Sequence, residues 1–354
     1  MAAELPESPN PLSWKIQLDG NIVGIGMALE VGTAASGENP PACPPIVRQH
    51  GEGDQSHVTG LEIDLNQGYD PGVEKSWTAV MYRHLMLLLN WMAAHTSYFR
   101  DAAPEIVCWN GTLKEIMMTA FNRRTTNANG WKIDVVLIDG VLYMALNGYT
   151  HPGNTRKKSE ADLEYEKRCE HRGSVYEDVM TRNTGEAATL SHPLKDKSSF
   201  YSFLTRRIND IRVMFGAEVD CRDPDVAGTP ASYIELKATA HWKATAKTVS
   251  QWKWTFYQYK LAKYWAQAFI AGMTKVIVGL WDEAGVLVET REYDTNDIAV
   301  QAKAEAMATW NPEEGMVFLG LFLKHVRDTV TKDYKQKVQW GCTRSSGVPT
   351  TRTK

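Results

Sequence analysis

Two short stretches constrain this chain more than any others: Phe215-Gly-Ala-Glu218-Val-Asp220-Cys221 and Tyr233-Ile-Glu235-Leu-Lys237, whose Glu235 lies fifteen residues beyond Asp220. Each alternates polar and apolar residues, which is the period of a half-buried β-strand. Side chains at i and i+2 of a strand share a face. Glu218 and Asp220 are therefore expected to project together, as are Glu235 and Lys237. If the two strands are neighbours, three carboxylates and one ammonium converge on one patch.

Such a patch has a chemistry. Hard divalent cations such as Mg²⁺ and Mn²⁺ prefer carboxylate oxygens. A cation so held clamps the oxygens of a phosphodiester or pyrophosphate undergoing displacement, and a lysine beside it neutralises charge building on the phosphate. Acids followed by E-x-K on adjacent strands form the arrangement of PD-(D/E)xK nucleases. The bland reading is that Ile-Glu-Leu-Lys is the exposed face of an ordinary amphipathic strand. Two such motifs close in the chain set the readings level. On these residues alone a DNA nuclease and an RNA nuclease fit equally.

Other candidates stand apart. On a helix expected over Gln251–Ala271 and closed by Gly272, an apolar stripe contains Trp254, Tyr257, Leu261, Tyr264, Trp265 and Ala268. Phe256, Lys260, Lys263 and Gln267 fall on a separate face that can offer ammonium and amide groups to phosphates; solvation is the ordinary role of such residues. Glu177 and the Trp109-Asn110-Gly111 triplet carry little weight by themselves. The nine histidines show no metal-ligand spacing.

The rest of the chain reads as α+β, a single domain with central mixed β-sheets flanked by helices. Residues 1–56, rich in Pro, Gly and Ala, are expected to be a variable, poorly ordered segment with one short strand over Asn21–Leu29. The catalytic domain is expected over 57–342 and a disordered tail over 343–354. Helices are expected at Val73–His95, Leu113–Phe121, through the charged stretch before Thr184, and at Met316–Val330. Strands are expected at Ile106–Trp109, Val213–Cys221, Ser232–Ala238, and at Lys275–Leu280 paired with Val286–Tyr293. Trp131–Leu137 and Val141–Leu146 form a hairpin across Asp139-Gly140. Phe200–Ile211 gives no clear pattern.

Composition excludes some classes. A net charge of −3 is not that of a globally cationic nucleic-acid binder, so any RNA contact must come from a local basic groove. The five cysteines are scattered and never spaced as C-x-x-C, which fits a reducing compartment and no structural zinc. No basic and apolar leader opens the chain, and no apolar run reaches the roughly 20 residues that span a bilayer. The expected location is nuclear, with the cytoplasm as second choice, and no membrane partner is expected.

Taken together, the segments resemble the DXO family of decapping nucleases, in order and from about Leu61 to Trp340. The matching pieces are Leu61–Tyr69, Val107–Lys114, Gly173–Glu177, Tyr201-Ser202-Phe-Leu, Phe215–Cys221, Tyr233–Lys237, Phe256–Phe269, Ile277–Val286 and Trp310-Asn-Pro. The resemblance implies a divalent-metal (Mg or Mn) hydrolase of RNA 5′ ends, removing incomplete caps, NAD caps or pyrophosphate, with 5′→3′ exonuclease activity in some members. It implies metal ligation by Glu177, Glu218, Asp220, Glu235 and the Leu236 carbonyl. Glu218, Asp220, Glu235, Lys237 and Gln267 would be catalytic. Substrate would be held by Trp109, Asn110, Gly111, Ser202, Glu218, Lys237 and Gln267. Asn110 stands where the family has an arginine, which removes a bidentate phosphate contact and implies weakened or altered activity. A second reading makes the chain a non-catalytic partner that stabilises a nuclear 5′→3′ exoribonuclease.

Overall fold

A computed structural model describes residues 29–31, 63–71, 77–96, 103–121, 130–150, 159–181, 200–227, 229–245, 247–331, 338–342 and 349–353. The strands are β1 (Leu29–Val31), β2 (Ile63–Asp64), β3 (Ile106–Trp109), β4 (Gly130–Ile138), β5 (Val141–Thr150), β6 (Phe200–Ile208), β7 (Ile211–Val219), β8 (Cys221–Arg222), β9 (Tyr233–Ala240), β10 (Lys275–Trp281), β11 (Val286–Asp294), β12 (Val338–Cys342) and β13 (Pro349–Thr353). The helices are α1 (Trp77–Ala94), α2 (Asn110–Phe121), α3 (Glu160–Thr181), α4 (Val249–Thr255), α5 (Leu261–Ala271), α6 (Ile298–Ala306) and α7 (Pro312–Thr329).

Two mixed sheets organise these elements. The 8-stranded sheet has the order β1-β6-β7-β3-β5-β4-β12-β13, and the 5-stranded sheet the order β2-β11-β10-β9-β8. Strand alternation assigns their faces. Ile106 and Cys108 of β3 point into the main core with Val276, Val278 and Leu280 of β10, together with apolar residues of α2, α5 and α7. Val107 turns the other way, packing with Leu88 and Trp91 of α1. Ile277 and Trp281 of β10 and Ile234 and Leu236 of β9 pack against Val175, Tyr176 and Met180 of α3. The mixed α+β architecture expected from the pattern is the one observed.

The Asp139-Gly140 hairpin forms as expected, with φ of 49° and 80° at its central residues, the positive values a type I′ turn requires. Phe200–Ile211 resolves into a second hairpin, β6–β7, turning at Asn209 with φ of 54°. Its signal was the Asn-Asp pair, obscured by apolar residues on both faces. α7 starts earlier than expected, because Asn311 accepts a hydrogen bond from the Glu313 amide and Pro312 occupies the first turn. Of the expected first strand and the helix before Thr184, residues 21–28 and 182–184 lie outside the described residues. Pro349–Thr353 pairs antiparallel with Val338–Cys342, so a strand stands inside the expected tail.

Two expectations are corrected. Val213–Cys221 is not one strand: the ladder of the large sheet ends at Val219 and that of the small sheet begins at Cys221, which pairs with Ile234. Asp220 is the crossing residue. The two acidic segments therefore meet across a junction between sheets. The long helix is also interrupted, because Phe256–Lys260 forms a π-helical turn between α4 and α5. The extra residue rotates everything before it relative to everything after it. Phe256 is consequently buried and stacked on Trp252 at 5.0 Å, whereas Trp254 is 39% exposed.

Gly279 of β10 marks a tight approach: a Cβ there would lie 2.4 Å from the Tyr176 ring of α3. Gly279→Ala is expected to displace α3 and destabilise the protein by about 1–3 kcal/mol. Urea titration checks this, and an unchanged midpoint would mean that the helix seat is slack.

Candidate active site

The junction at Asp220 builds the site. The Leu236 amide of β9 donates to the Asp220 carboxylate at 2.7 Å. Asp220 is thereby fixed beside the strand that carries Glu235 and Lys237. Those two side chains point off the face of β9 opposite Leu236, which belongs to the core under α3. The Lys237 ammonium donates to the Leu236 carbonyl at 2.9 Å, forms an ion pair with Glu235, and lies 3.8 Å from Asp220.

From the other side comes α5. The Gln267 amide donates to Glu235 Oε1 at 2.6 Å. One and two turns earlier, Tyr264 and Lys260 follow the same strand: both reach the hydroxyl of Thr239. Lys260, Tyr264 and Gln267 thus face Thr239, Lys237 and Glu235. Tyr264 packs against the main core, as its place in the apolar stripe implies, while its hydroxyl joins this polar edge, and burial pushes that hydroxyl up to about 12. Its signal was its position three before Gln267 on the same helix face.

The electrostatics are strained. Burial raises the carboxyl of Asp220 well above the usual range, and Glu177, Glu235 and Glu218 add to this against the pull of Lys237. Glu235 is raised by burial, opposed by Lys237 and reinforced by Glu177 and Glu218. Burial alone would depress Lys237, but Glu235, Asp220 and Glu177 together hold it above its ordinary value. Glu177 and Glu218 therefore both act on the buried pair Asp220 and Glu235. Glu218, exposed on β7 opposite Tyr201, is the weakest contributor to both Asp220 and Glu235.

The donor set fits a hard cation. Glu235 is 1% exposed, and its Oε2 has no hydrogen-bond partner. Such an orphaned anionic oxygen is stable only near positive charge. Glu235, Asp220 and the Leu236 carbonyl, three of the expected ligands, are the groups that Lys237 touches. Among the described residues no three His, Cys, Asp or Glu side chains are grouped so as to hold a metal ion together as they stand. Lys237 is the positive charge among the acids in this arrangement.

The expected substrate residues separate into those at the site and those in the framework. Gln267 is at the site. Asn110 is 4% exposed, and its amide donates to the Gln267 backbone carbonyl at 3.0 Å, leaving its own Oδ1 without a partner. It ties α2 to α5 rather than presenting an open surface. The Trp109 ring packs over Gly216 and lies edge-on to Tyr201 at 5.7 Å. Gly111 lies in the first turn of α2. Ser202 is 0% exposed, opposite Ala217, with its hydroxyl unpartnered; in this arrangement it lines no open face. Lys114, given no role from the sequence, lies within electrostatic range of Lys237.

The description RAI1 like PD-(D/E)XK nuclease matches residues 45–348. The chain belongs to this nuclease family. Divalent cations are the cofactors of the class. Human Decapping and exoribonuclease protein is 27% identical over 281 residues, covering 77% of this chain and 67% of the relative. Decapping nuclease RAI1 of Neurospora crassa is 25% identical over 292 residues, covering 78% and 68%. The chain thus spans about two thirds of the length of these family members. In fold it is similar to Scheffersomyces stipitis Rai1, with a TM-score of 0.64, 18% identity, and coverage of 82% of this chain and 80% of that one. It is also similar to Candida albicans Rai1 in complex with pU5-Mn²⁺, with a TM-score of 0.62, 18% identity, and coverage of 83% and 80%.

Lys237→Met tests the charge balance. Without added metal it is expected to lower stability by about 3 kcal/mol, at the weak end for a buried pair because Lys237 keeps some contact with water. Mn²⁺ is expected to raise the melting temperature of the variant more than that of the wild type, since the competing ammonium is gone. A metal-free variant that melts with the wild type would contradict this arrangement.

Proposed function

We propose that this protein is a divalent-metal-dependent hydrolase of RNA 5′ ends, cleaving the phosphoanhydride or phosphodiester bond nearest the terminus. The observation that carries the reading is the convergence of Asp220, Glu235 and Glu177 on Lys237, with Glu218 acting on Asp220 and Glu235 and with Gln267 bonded to Glu235. Relatives named for decapping and exoribonuclease activity support RNA as the substrate. Rai1 structures with pU5 and Mn²⁺, and with (3′-NADP)⁺ and a calcium ion, support a site that takes nucleotide 5′ ends and divalent ions.

Glu177, Glu218, Asp220, Glu235 and the Leu236 carbonyl would hold the ion, which when bound supplies Lewis-acid activation of water and phosphate. The chain's own groups do the rest. Lys237 and Gln267 place N–H donors at the edge of the acid cluster, where they bind non-bridging phosphate oxygens and neutralise charge developing on them. The Asp220 bond to the Leu236 amide keeps that carboxylate from swinging away. Asn110 holds the backbone of Gln267, so it acts on the substrate through α5. On this reading its side chain is a positioning group, and the lost arginine removes a direct phosphate contact. NAD-capped, unmethylated-cap and triphosphate ends are all within the proposed substrate range.

A panel of 5′-triphosphate, 5′-monophosphate, GpppN-capped and NAD-capped RNAs, each with Mg²⁺ and with Mn²⁺, tests the proposal. Release of a cap-derived or nucleotide product from at least one RNA is expected. Glu218→Gln/Asp220→Asn is expected to lower that rate by about a thousandfold or more, the equivalent of several kcal/mol of lost transition-state stabilisation. The amide oxygen at position 220 can still accept from Leu236, so the circular dichroism should match that of the wild type. No product from any RNA, with well-folded wild-type protein and both metals, would overturn the reading.

A further inference from the structure

The acid cluster repels a polyanion, so an RNA strand must be received from a side that carries the opposite charge. Two helices supply one. Asn110, at the start of α2, is bonded to Gln267 near the end of α5. Lys114 lies one turn beyond Asn110, and Lys263 one turn before Gln267. The two ammonium groups lie within electrostatic range of each other, and Lys114 also within range of Lys237. The Lys114 side chain keeps only 16% of its exposure, and its ion-pair partner is the adjacent Glu115, at 3.2 Å. Burial, Lys263 and Lys237 all oppose its charge, and Glu115 alone among the groups acting on it favours the charged form. A buried cation among like charges is the arrangement that an incoming anion relieves.

We infer that Lys114 and Lys263 bind a phosphate of the RNA strand next to the one being cleaved, fixing the register of the strand on the site. This rests on the reading of the site as an RNA hydrolase. It adds two contacts to that reading, on the paired helices α2 and α5 beside Gln267. Phosphate contacts of this kind position a strand without reading its bases, so they suit an enzyme that meets many sequences at their 5′ ends. The competing explanation is that Lys114 merely pairs with Glu115. In that case removing both partners together should leave RNA binding intact.

The test is fluorescence anisotropy with labelled pentauridylate, one form bearing a 5′-phosphate and the other a 5′-hydroxyl, without divalent metal. Lys114→Met is expected to weaken binding of at least one form about tenfold. The slope of log affinity against log salt should flatten by about 0.7, the value for one lost single-strand phosphate contact. Lys263→Met should act in the same direction, Lys114→Arg should restore most of the affinity, and Lys114→Met/Glu115→Gln should remain weak. Loss with the 5′-phosphate form alone would place the contact at the terminal phosphate. Loss with both forms would place it at an internal one. Wild-type affinity and slope in Lys114→Met and Lys263→Met, or wild-type affinity in the Lys114/Glu115 double variant, would overturn the inference. Hydrolysis by wild type alongside lysine-independent binding would remove this contact and keep the hydrolase. Lysine-dependent binding with no hydrolysis of any RNA would do the reverse.

Discussion

Asp220 and Glu235 are carboxylates withdrawn from water within reach of the same ammonium. Carboxylates so placed stay charged only beside a positive group. Lys237 is that group, and it is placed by the strand itself, two residues beyond Glu235 on the same face of β9. Everything else at the site follows from keeping these three side chains together. The chain passes from the large sheet to the small one at Asp220, which frees that carboxylate from a ladder while the Leu236 amide holds it. The framework thus fixes a patch of excess negative charge with one oxygen, Glu235 Oε2, left unsatisfied. A site of that kind is stabilised by a cation and is ready to bind one.

The second support comes from the helix that crosses β9. The π-turn at Phe256–Lys260 lets one continuous segment serve two different surfaces. Up to its first residue, Trp252 and Phe256 stack into the core; from its last residue onward, Lys260, Tyr264 and Gln267 follow the polar edge of β9. Without the extra residue, one of the two faces would be turned out of place. The Asn110 bond to the Gln267 carbonyl then ties this helix to α2. Burial of Asn110 explains how a position in a substrate-like triplet becomes part of the frame.

Much of this was legible in the residues, for definable reasons. The Asp139-Gly140 hairpin, the β10–β11 pair and the grouping of Glu235 with Lys237 rest on local rules: turn dihedrals and the two-residue period of a strand. Gln267 was placed on the correct face because it and Lys263 lie on the same side of the π-turn. Phe256 and Trp254 were exchanged because a period of 3.6 cannot see an inserted residue. The break at Asp220 was hidden because the alternation continues through it while the hydrogen-bonding partners change. Lys114 was given no role, and Tyr264 was read for its ring and not its hydroxyl, because their polar neighbours are distant in sequence. The packing of the half-buried Trp109 and the burial of Ser202 depend likewise on contacts across β6 and β7, which no local pattern encodes.

Membership in the RAI1-like nuclease family, whose cofactors are divalent cations, agrees with the geometry at Asp220: carboxylates gathered around one lysine, a donor set that suits such an ion. Anomalous diffraction from a crystal grown with Mn²⁺ tests this most directly. The account predicts a manganese peak among Glu177, Glu218, Asp220, Glu235 and the Leu236 carbonyl, with the Lys237 ammonium moved off that carbonyl. A crystal saturated with Mn²⁺ that shows no peak there, with Lys237 still bonded to Glu235 and Leu236, would contradict it.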